Sequence, residues 1–305
     1  MTLLAGLGAA ITVAFERVQA LDGRFLAGAL ALQLAALAFR SFALRNVLAA
    51  AYPARRIPTA SVACAYATGV ALNGFLPARG GEAAKVALLR ARLPGSSVPT
   101  IASSLAVVML LDAILGASLI GVLWATGVLP ELPRLPLPSV AVAPLAGVLA
   151  LGVLAIGALA VRRFGALRSW LASAAAGLAV IRTPGRLFAT VLPFQLAAWA
   201  CRIAVVVLVL QAFRIDAGLE TAALLVVLNG ASTAVPVPGG AGSQQVLATY
   251  ALQGAVSTAG AMSFSLGMQV GVTAVNTAVG LAAAMVLFRT LRPVAALRAL
   301  GMRTR

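Results

Sequence analysis

Val70-Ala71-Leu72-Asn73-Gly74, followed by Pro77 and the pair Gly80-Gly81, interrupts an apolar run. The same order returns as Val226-Val227-Leu228-Asn229-Gly230, followed by Pro236 and Gly239-Gly240. The offset is 156 residues between the asparagines and 159 between the glycine pairs. Both stretches are too broken to cross a bilayer, which takes about 20 apolar residues in one helix. Proline removes a backbone donor and glycine weakens a helix. Each block therefore reads as two short helices joined at a break: Pro58–Leu76 with Glu82–Arg92, and Thr221–Val235 with Gln244–Leu252.

Outward from the blocks, the chain is long apolar runs. Phe25–Tyr52 and Val98–Trp124 flank the first block, and Leu187–Phe213 and Gly260–Phe288 flank the second. Between them lie a proline-rich loop at 127–138, a connecting span at Val140–Val161 and an amphipathic stretch, Phe164–Arg182, that reads as an interfacial helix. Residues 2–20 read as a further span or an interfacial helix; without a basic leader or a cleavage site they do not read as a removed signal peptide. The expected organisation is one transmembrane domain over 1–305: repeat 1 at about 25–126, the connecting span and interfacial helix at 139–184, repeat 2 at about 187–288 and a basic tail at 289–305.

Composition agrees. Hydrophobic residues make up 62% of the 305 and charged residues 10%, against about 25% charged in soluble domains. The mean hydropathy is +1.03. A soluble globular enzyme, a disordered chain and a fibrous repeat are excluded. There is no histidine, which removes the commonest general base and imidazole ligand. Cys64 and Cys201 lie far apart in apolar runs and read as two free thiols, a disulfide being the alternative. No metal and no cofactor are expected.

The net charge of +16 would suggest nucleic acid in a soluble protein, but here basic residues on the cytoplasmic side account for it, and no nucleic acid is expected. Placing 40–56, 79–92, 162–186 and 289–305 inside collects 18 of the 23 Lys and Arg, and five of the seven acids then fall outside. Lys85 is the single lysine; with the alanine bias this suggests a GC-rich bacterial genome. The expected location is a multi-pass protein of the cytoplasmic membrane with its C-terminus inside. The two broken segments then enter from opposite faces. The fold class expected is an all-α polytopic integral membrane protein, a helical bundle with two opposed re-entrant hairpins forming an inverted-topology repeat.

The run Asn73-Gly-Phe-Leu-Pro77-Ala-Arg79-Gly80-Gly81-Glu82-Ala-Ala-Lys85 resembles the signature of the lysylphosphatidylglycerol synthase transmembrane (flippase-like) family. Pro236-Val-Pro238-Gly239-Gly240-Ala-Gly242 resembles its second signature, and Asp112 stands where the family carries an acid in the following span. The resemblance covers about residues 25–290. It implies movement of a phospholipid or lipid-linked headgroup between leaflets. The soluble aminoacyl-transferase domain is not in this chain, so aminoacylation is not expected from it. Two positions depart from the family: Val108-Met109 replace a Glu-Arg pair, and Gln244-Gln245 replace a glutamate. Substrate and coupling are therefore not carried over.

The candidate substrate-binding residues are Arg79, Gly80, Gly81, Glu82, Lys85, Asp112, Arg202, Gly239 and Gly240; no catalytic set is assigned. Arg79 and Lys85 beside a helix start suit a lipid phosphate, or else form a loop that touches anionic headgroups. Asp112 is costly within its span; it pairs with Arg79, Lys85 or Arg202, or carries a proton. Arg202 reads equally as a headgroup ligand or as the counterion of Asp112. Gly239-Gly240 either cradle a phosphate or let the hairpin fold tightly. Gln195 and Gln211 read as interhelical hydrogen-bond glue, and Asn73 and Asn229 as caps or bridges of broken helices. The leading expectation is translocation of an anionic phospholipid or a polyprenyl-phosphate-linked lipid. The rivals are a membrane enzyme acting on such a lipid and a non-transporting partner of a separate synthase or glycosyltransferase. The partners expected are membrane lipids with anionic headgroups.

Overall fold

A computed structural model describes residues 22–76, 80–127, 172–232 and 242–288. The first apolar stretch, the connecting span, the tail, Arg79 and Gly239-Gly240 lie outside the described residues. The described chain is helical, with no strand among its residues. In order come α1 (Gly23–Ala51), α2 (Thr59–Asn73), α3 (Gly80–Arg92), α4 (Val98–Ala125), α5 (Pro184–Thr190), α6 (Leu192–Ala212), α7 (Leu219–Ser232), α8 (Ser243–Ala251) and α9 (Thr258–Phe288).

Local chemistry sets the helix starts. Asp22 caps α1 by accepting from the Arg24 amide at 3.0 Å, and Ser97 caps α4 by accepting from the Thr100 amide at 3.2 Å. Pro99 sits in the first turn of α4, where its missing N–H costs nothing. The run from Pro184 to Ala212 is interrupted at Val191, two residues before Pro193. Helix α3 begins at Gly80, one residue earlier in the glycine pair and two before Glu82.

Among the described residues, four helical stretches are long and apolar enough to cross a membrane: Gly23–Ala51, Val98–Ala125, Pro184–Ala212 and Thr258–Phe288. Large apolar side chains on their outer faces, such as Leu110, Val122, Trp124 and Val270, are exposed, as a hydrocarbon surrounding requires. The protein is an all-α polytopic membrane protein.

The interior divides into two cores. One gathers the C-terminal half of α1, the N-terminal half of α4, and residues from α2 and α3. The other gathers the C-terminal halves of α4 and α6, the N-terminal part of α9, and residues from α7 and α8. The long helices thus run from one core to the other, while the α2–α3 pair belongs to the first and the α7–α8 pair to the second. Packing partners also correspond between halves: α1 on α2 with α6 on α7, α3 on α4 with α8 on α9, and α2 on α9 with α7 on α4.

Part of the stretch expected to lie along the interface packs on protein instead. Residues 172–177 are helical, Thr100 Oγ1 donates to the Ser173 carbonyl at 2.7 Å, and Val180 is fully buried in the first core. Gln195, also fully buried, ties α6 to α4 by donating to the Val108 carbonyl at 3.1 Å. Gln211, expected to do the same, is exposed near the end of α6. Both cysteines are free.

Glycines set the closest approaches. A Cβ on Gly81 would meet the Gly69 carbonyl oxygen and, at 2.6 Å, Asn73 Oδ1. A Cβ on Gly280 would meet the Ala71 Cβ and, at 2.9 Å, the Ala67 carbonyl. Small residues let backbones approach where no water-driven collapse holds helices together. Gly81→Ala is expected to lower stability by about 1–3 kcal/mol through overpacking. Thermal melting in detergent checks this, and an unchanged midpoint would mean that α2 and α3 separate at no cost.

Candidate functional site

A cavity of about 320 Å³ opens between the two cores. Its walls come from the middle of α1, α6 and α9 and from α2, α7 and α8, so both short-helix pairs contribute. Among the described residues, two cations line it, Arg40 on α1 and Arg202 on α6, and no carboxylate does. Polar side chains of α9, among them Gln269, Thr273 and Asn276, form the facing wall.

Arg40 is the centre of the electrostatics. Its Nη2 donates to Asp112 Oδ1 at 2.7 Å and Oδ2 at 2.6 Å. Its Nη1 makes a longer contact of 3.4 Å to the Tyr66 hydroxyl, and its buried Nε has no partner. Asp112 also accepts from Trp199 Nε1 at 2.9 Å. The Arg202 guanidinium carbon lies 5.0 Å from the centroid of the Trp199 ring, within cation–π range. Trp199 therefore stands between the Asp112 carboxylate and the second cation.

Asp112 pairs with Arg40, which was not among the partners expected and which charge sorting assigned to the cytoplasmic cluster; Arg79 lies outside the described residues. Helix α1 continues to Ala51, eleven residues or about 16 Å beyond Arg40 at 1.5 Å per residue. A guanidinium at that depth needs a counter-charge, and Asp112 supplies it.

Glu82 and Lys85 do pair, with Nζ to Oε1 at 2.7 Å. Asn73 bridges the break: its Oδ1 accepts from the Gly81 amide at 2.8 Å and its Nδ2 donates to Glu82 Oε1 at 3.1 Å. The start of α3 is thus served by the chain's own groups. Lys85 is only 3% exposed, so it is not a lysine that reaches headgroups at the surface. Its Nζ lies 4.2 Å from the centroid of the Tyr66 ring, and Tyr66 lines the cavity. A polar chain thus runs from Gly81 through Asn73, Glu82, Lys85 and Tyr66 to Arg40, Asp112, Trp199 and Arg202.

Of the candidates, Arg202 lines the cavity, Asp112 stands directly behind Arg40, and Glu82 and Lys85 reach it through Tyr66. Gly80 and Gly81 shape the hairpin. Arg79, Gly239 and Gly240 lie outside the described residues. Sequence reasoning missed Arg40, Tyr66 and Trp199. It also missed the polar stripe Ser265, Gln269, Thr273 and Asn276, whose spacing of three or four residues within an apolar span marks one helix face.

The second half is tied by neutral groups. Gln245 Nε2 donates to Gln269 Oε1 at 2.7 Å, and Gln245 Oε1 accepts from the Gly242 amide at 2.7 Å. Gln33 Nε2 donates to Asn276 Oδ1 at 2.9 Å, joining α1 to α9. Gln244 and Asn229 line the cavity. Met109 instead points outward and is 37% exposed. Among the described residues, no group of three His, Cys, Asp or Glu could hold a metal ion.

The geometry is that of a basic, partly polar chamber between apolar helices. No curated protein and no solved structure matches the chain. The family described as lysylphosphatidylglycerol synthase TM region matches residues 3–280. With nearly the whole chain matched, the protein belongs to the lysylphosphatidylglycerol synthase transmembrane family.

Proposed function

We propose that the protein moves an anionic phospholipid or a polyprenyl-phosphate-linked lipid between the leaflets of the cytoplasmic membrane, with the headgroup passing through the Arg40–Arg202 chamber. The observation that carries this reading is the presence of two arginines in one cavity walled by both short-helix pairs. A cation inside a membrane is costly and is retained where it serves a charged ligand. Guanidinium binds phosphate through paired, charge-assisted hydrogen bonds. Asp112 neutralises Arg40 until an anion competes for it, and Arg202 lies over the Trp199 ring in the same cavity. The volume is at the small end of ligand pockets, which suits a headgroup with its acyl chains left in the lipid.

Family membership links the protein to lipid metabolism and supports the lipid as cargo. The inverted repeat is part of the same proposal: the α2–α3 pair enters from the cytoplasmic face and the α7–α8 pair from the other. The confinement of each pair to one core supports it. In a cysteine-free background, Ala54→Cys is expected to be protected from external reagent and Gln253→Cys to be labelled, since both positions are exposed turns at the open ends of the pairs. Labelling of both from the same side would overturn the opposed arrangement.

The function itself is tested in vesicles carrying a headgroup-labelled anionic lipid. Arg202→Gln should slow its redistribution at least about tenfold, the loss of one charge-assisted contact, with folding unchanged by thermal melting. Wild-type redistribution in that variant would remove Arg202 from the pathway. Recovery of a covalently altered lipid from the pure protein would identify an enzyme instead.

A further inference from the structure

A second basic cleft lies away from the chamber. It is formed between the α1–α2 turn and the α3–α4 turn and has a volume of about 330 Å³. Arg55, Arg56 and Arg92 line it together with Tyr52 and Ser96, and among the described residues no carboxylate does. It sits where α1 ends and α4 begins. Both helices are of membrane-crossing length, so this rim falls at the water–lipid boundary.

The cleft is built. Arg55 Nη1 donates to the Pro94 carbonyl. Gly95 beneath it has φ +72°, and a Cβ there would meet the Arg55 guanidinium nitrogens at 2.7 and 2.8 Å, so only glycine serves. The Tyr52 hydroxyl accepts from the Ser97 amide at 3.0 Å, and Arg90 Nη1 donates to the Ser96 carbonyl at 3.1 Å. The loop before α4 is thus held by three separate hydrogen bonds. Within it Ser96 is 8% exposed, and its hydroxyl, in the cleft wall, has no hydrogen-bond partner. A buried hydroxyl without a partner is destabilising unless something arrives to bind it.

We propose that this cleft is a phosphate-binding site, separate from the chamber, that holds a phosphate group between the Arg55, Arg56 and Arg92 guanidiniums with Ser96 Oγ donating to one of its oxygens. Three guanidiniums without an acid match a group of high negative charge density. A hydroxyl with its one O–H free to donate fits a phosphate oxygen. The start of α4 adds the positive end of its dipole beside the same oxygen. The source is either a lipid headgroup at the membrane rim or phosphate from solution.

The test uses the full chain. Inorganic phosphate is titrated by calorimetry against protein in detergent at low salt, and phosphatidic acid is offered in phosphatidylcholine nanodiscs and counted by native mass spectrometry. Stoichiometric phosphate binding in detergent identifies the soluble source; binding of phosphatidic acid alone identifies the headgroup. Arg56→Gln/Arg92→Gln is expected to weaken whichever is bound at least about tenfold. Ser96→Ala is expected to weaken it severalfold while melting no lower than wild type without ligand, a result that a merely structural hydroxyl would not produce. Binding of neither probe, or equal binding by wild type and both variants, would overturn the proposal. So would loss of binding through Arg202→Gln alone, which would place the phosphate in the chamber.

Discussion

Asp112→Asn is expected to destabilise the protein by about 3 kcal/mol, the cost of leaving one member of a buried pair without its partner. Asp112 receives two bonds from Arg40 and one from Trp199. An amide keeps an acceptor for Trp199 but loses the charge that Arg40 faces. The side chains of Arg40 and Asp112 are 20% and 23% exposed, so water does little to replace the lost partner. The two-bond pair puts the stability effect first. Arg40→Gln/Asp112→Asn should lose less than the sum of the single changes, because the two residues act as one unit. Thermal melting of the four proteins in detergent closes the cycle. An Asp112→Asn protein that melts like wild type would mean that the pair is dispensable to the fold.

Lys85→Met is expected to cost about 2–3 kcal/mol, from a broken buried ion pair and a lost cation–π contact. The methionine fills the space of the stem but leaves Glu82, which is 25% exposed, with the Asn73 amide and without its cation. Glu82→Gln added to Lys85→Met should restore most of the loss by removing the unmatched charge. Arg90→Ala, on the exposed side of the same helix, removes one hydrogen bond to the Ser96 carbonyl and should cost no more than about 1 kcal/mol. If Lys85→Met and Arg90→Ala behaved alike, Lys85 would be no more than a surface cation.

The helices were legible because their signals are local. Four apolar runs, a capping serine before α4, and two Pro-Gly breaks each act within a few residues, and the described helix bounds follow them closely. Arg40 was misread for the same reason. Beside Arg45, Arg55 and Arg56 it resembles one end of a basic cluster, although the apolar run Phe25–Tyr52 already carries the helix past it. Its face was nonetheless readable: Gln33, Ala36, Leu37 and Arg40 recur at helical spacing, and all four line the cavity.

The sequence by itself determined that this is a membrane-embedded helical protein with two broken segments and an acid and an arginine inside apolar spans. Hydropathy, helix length and backbone chemistry are properties of single segments, so they can be read one segment at a time. Only the tertiary structure decided that Asp112 meets Arg40, that Trp199 separates Asp112 from Arg202, and that Lys85 turns inward onto Tyr66. Those pairings join residues from 19 to 87 positions apart. They depend on the rotation and register of one helix against another. A hydrogen bond tolerates only a few tenths of an ångström, whereas an apolar face specifies which side of a helix turns inward and leaves open which residue it will find there.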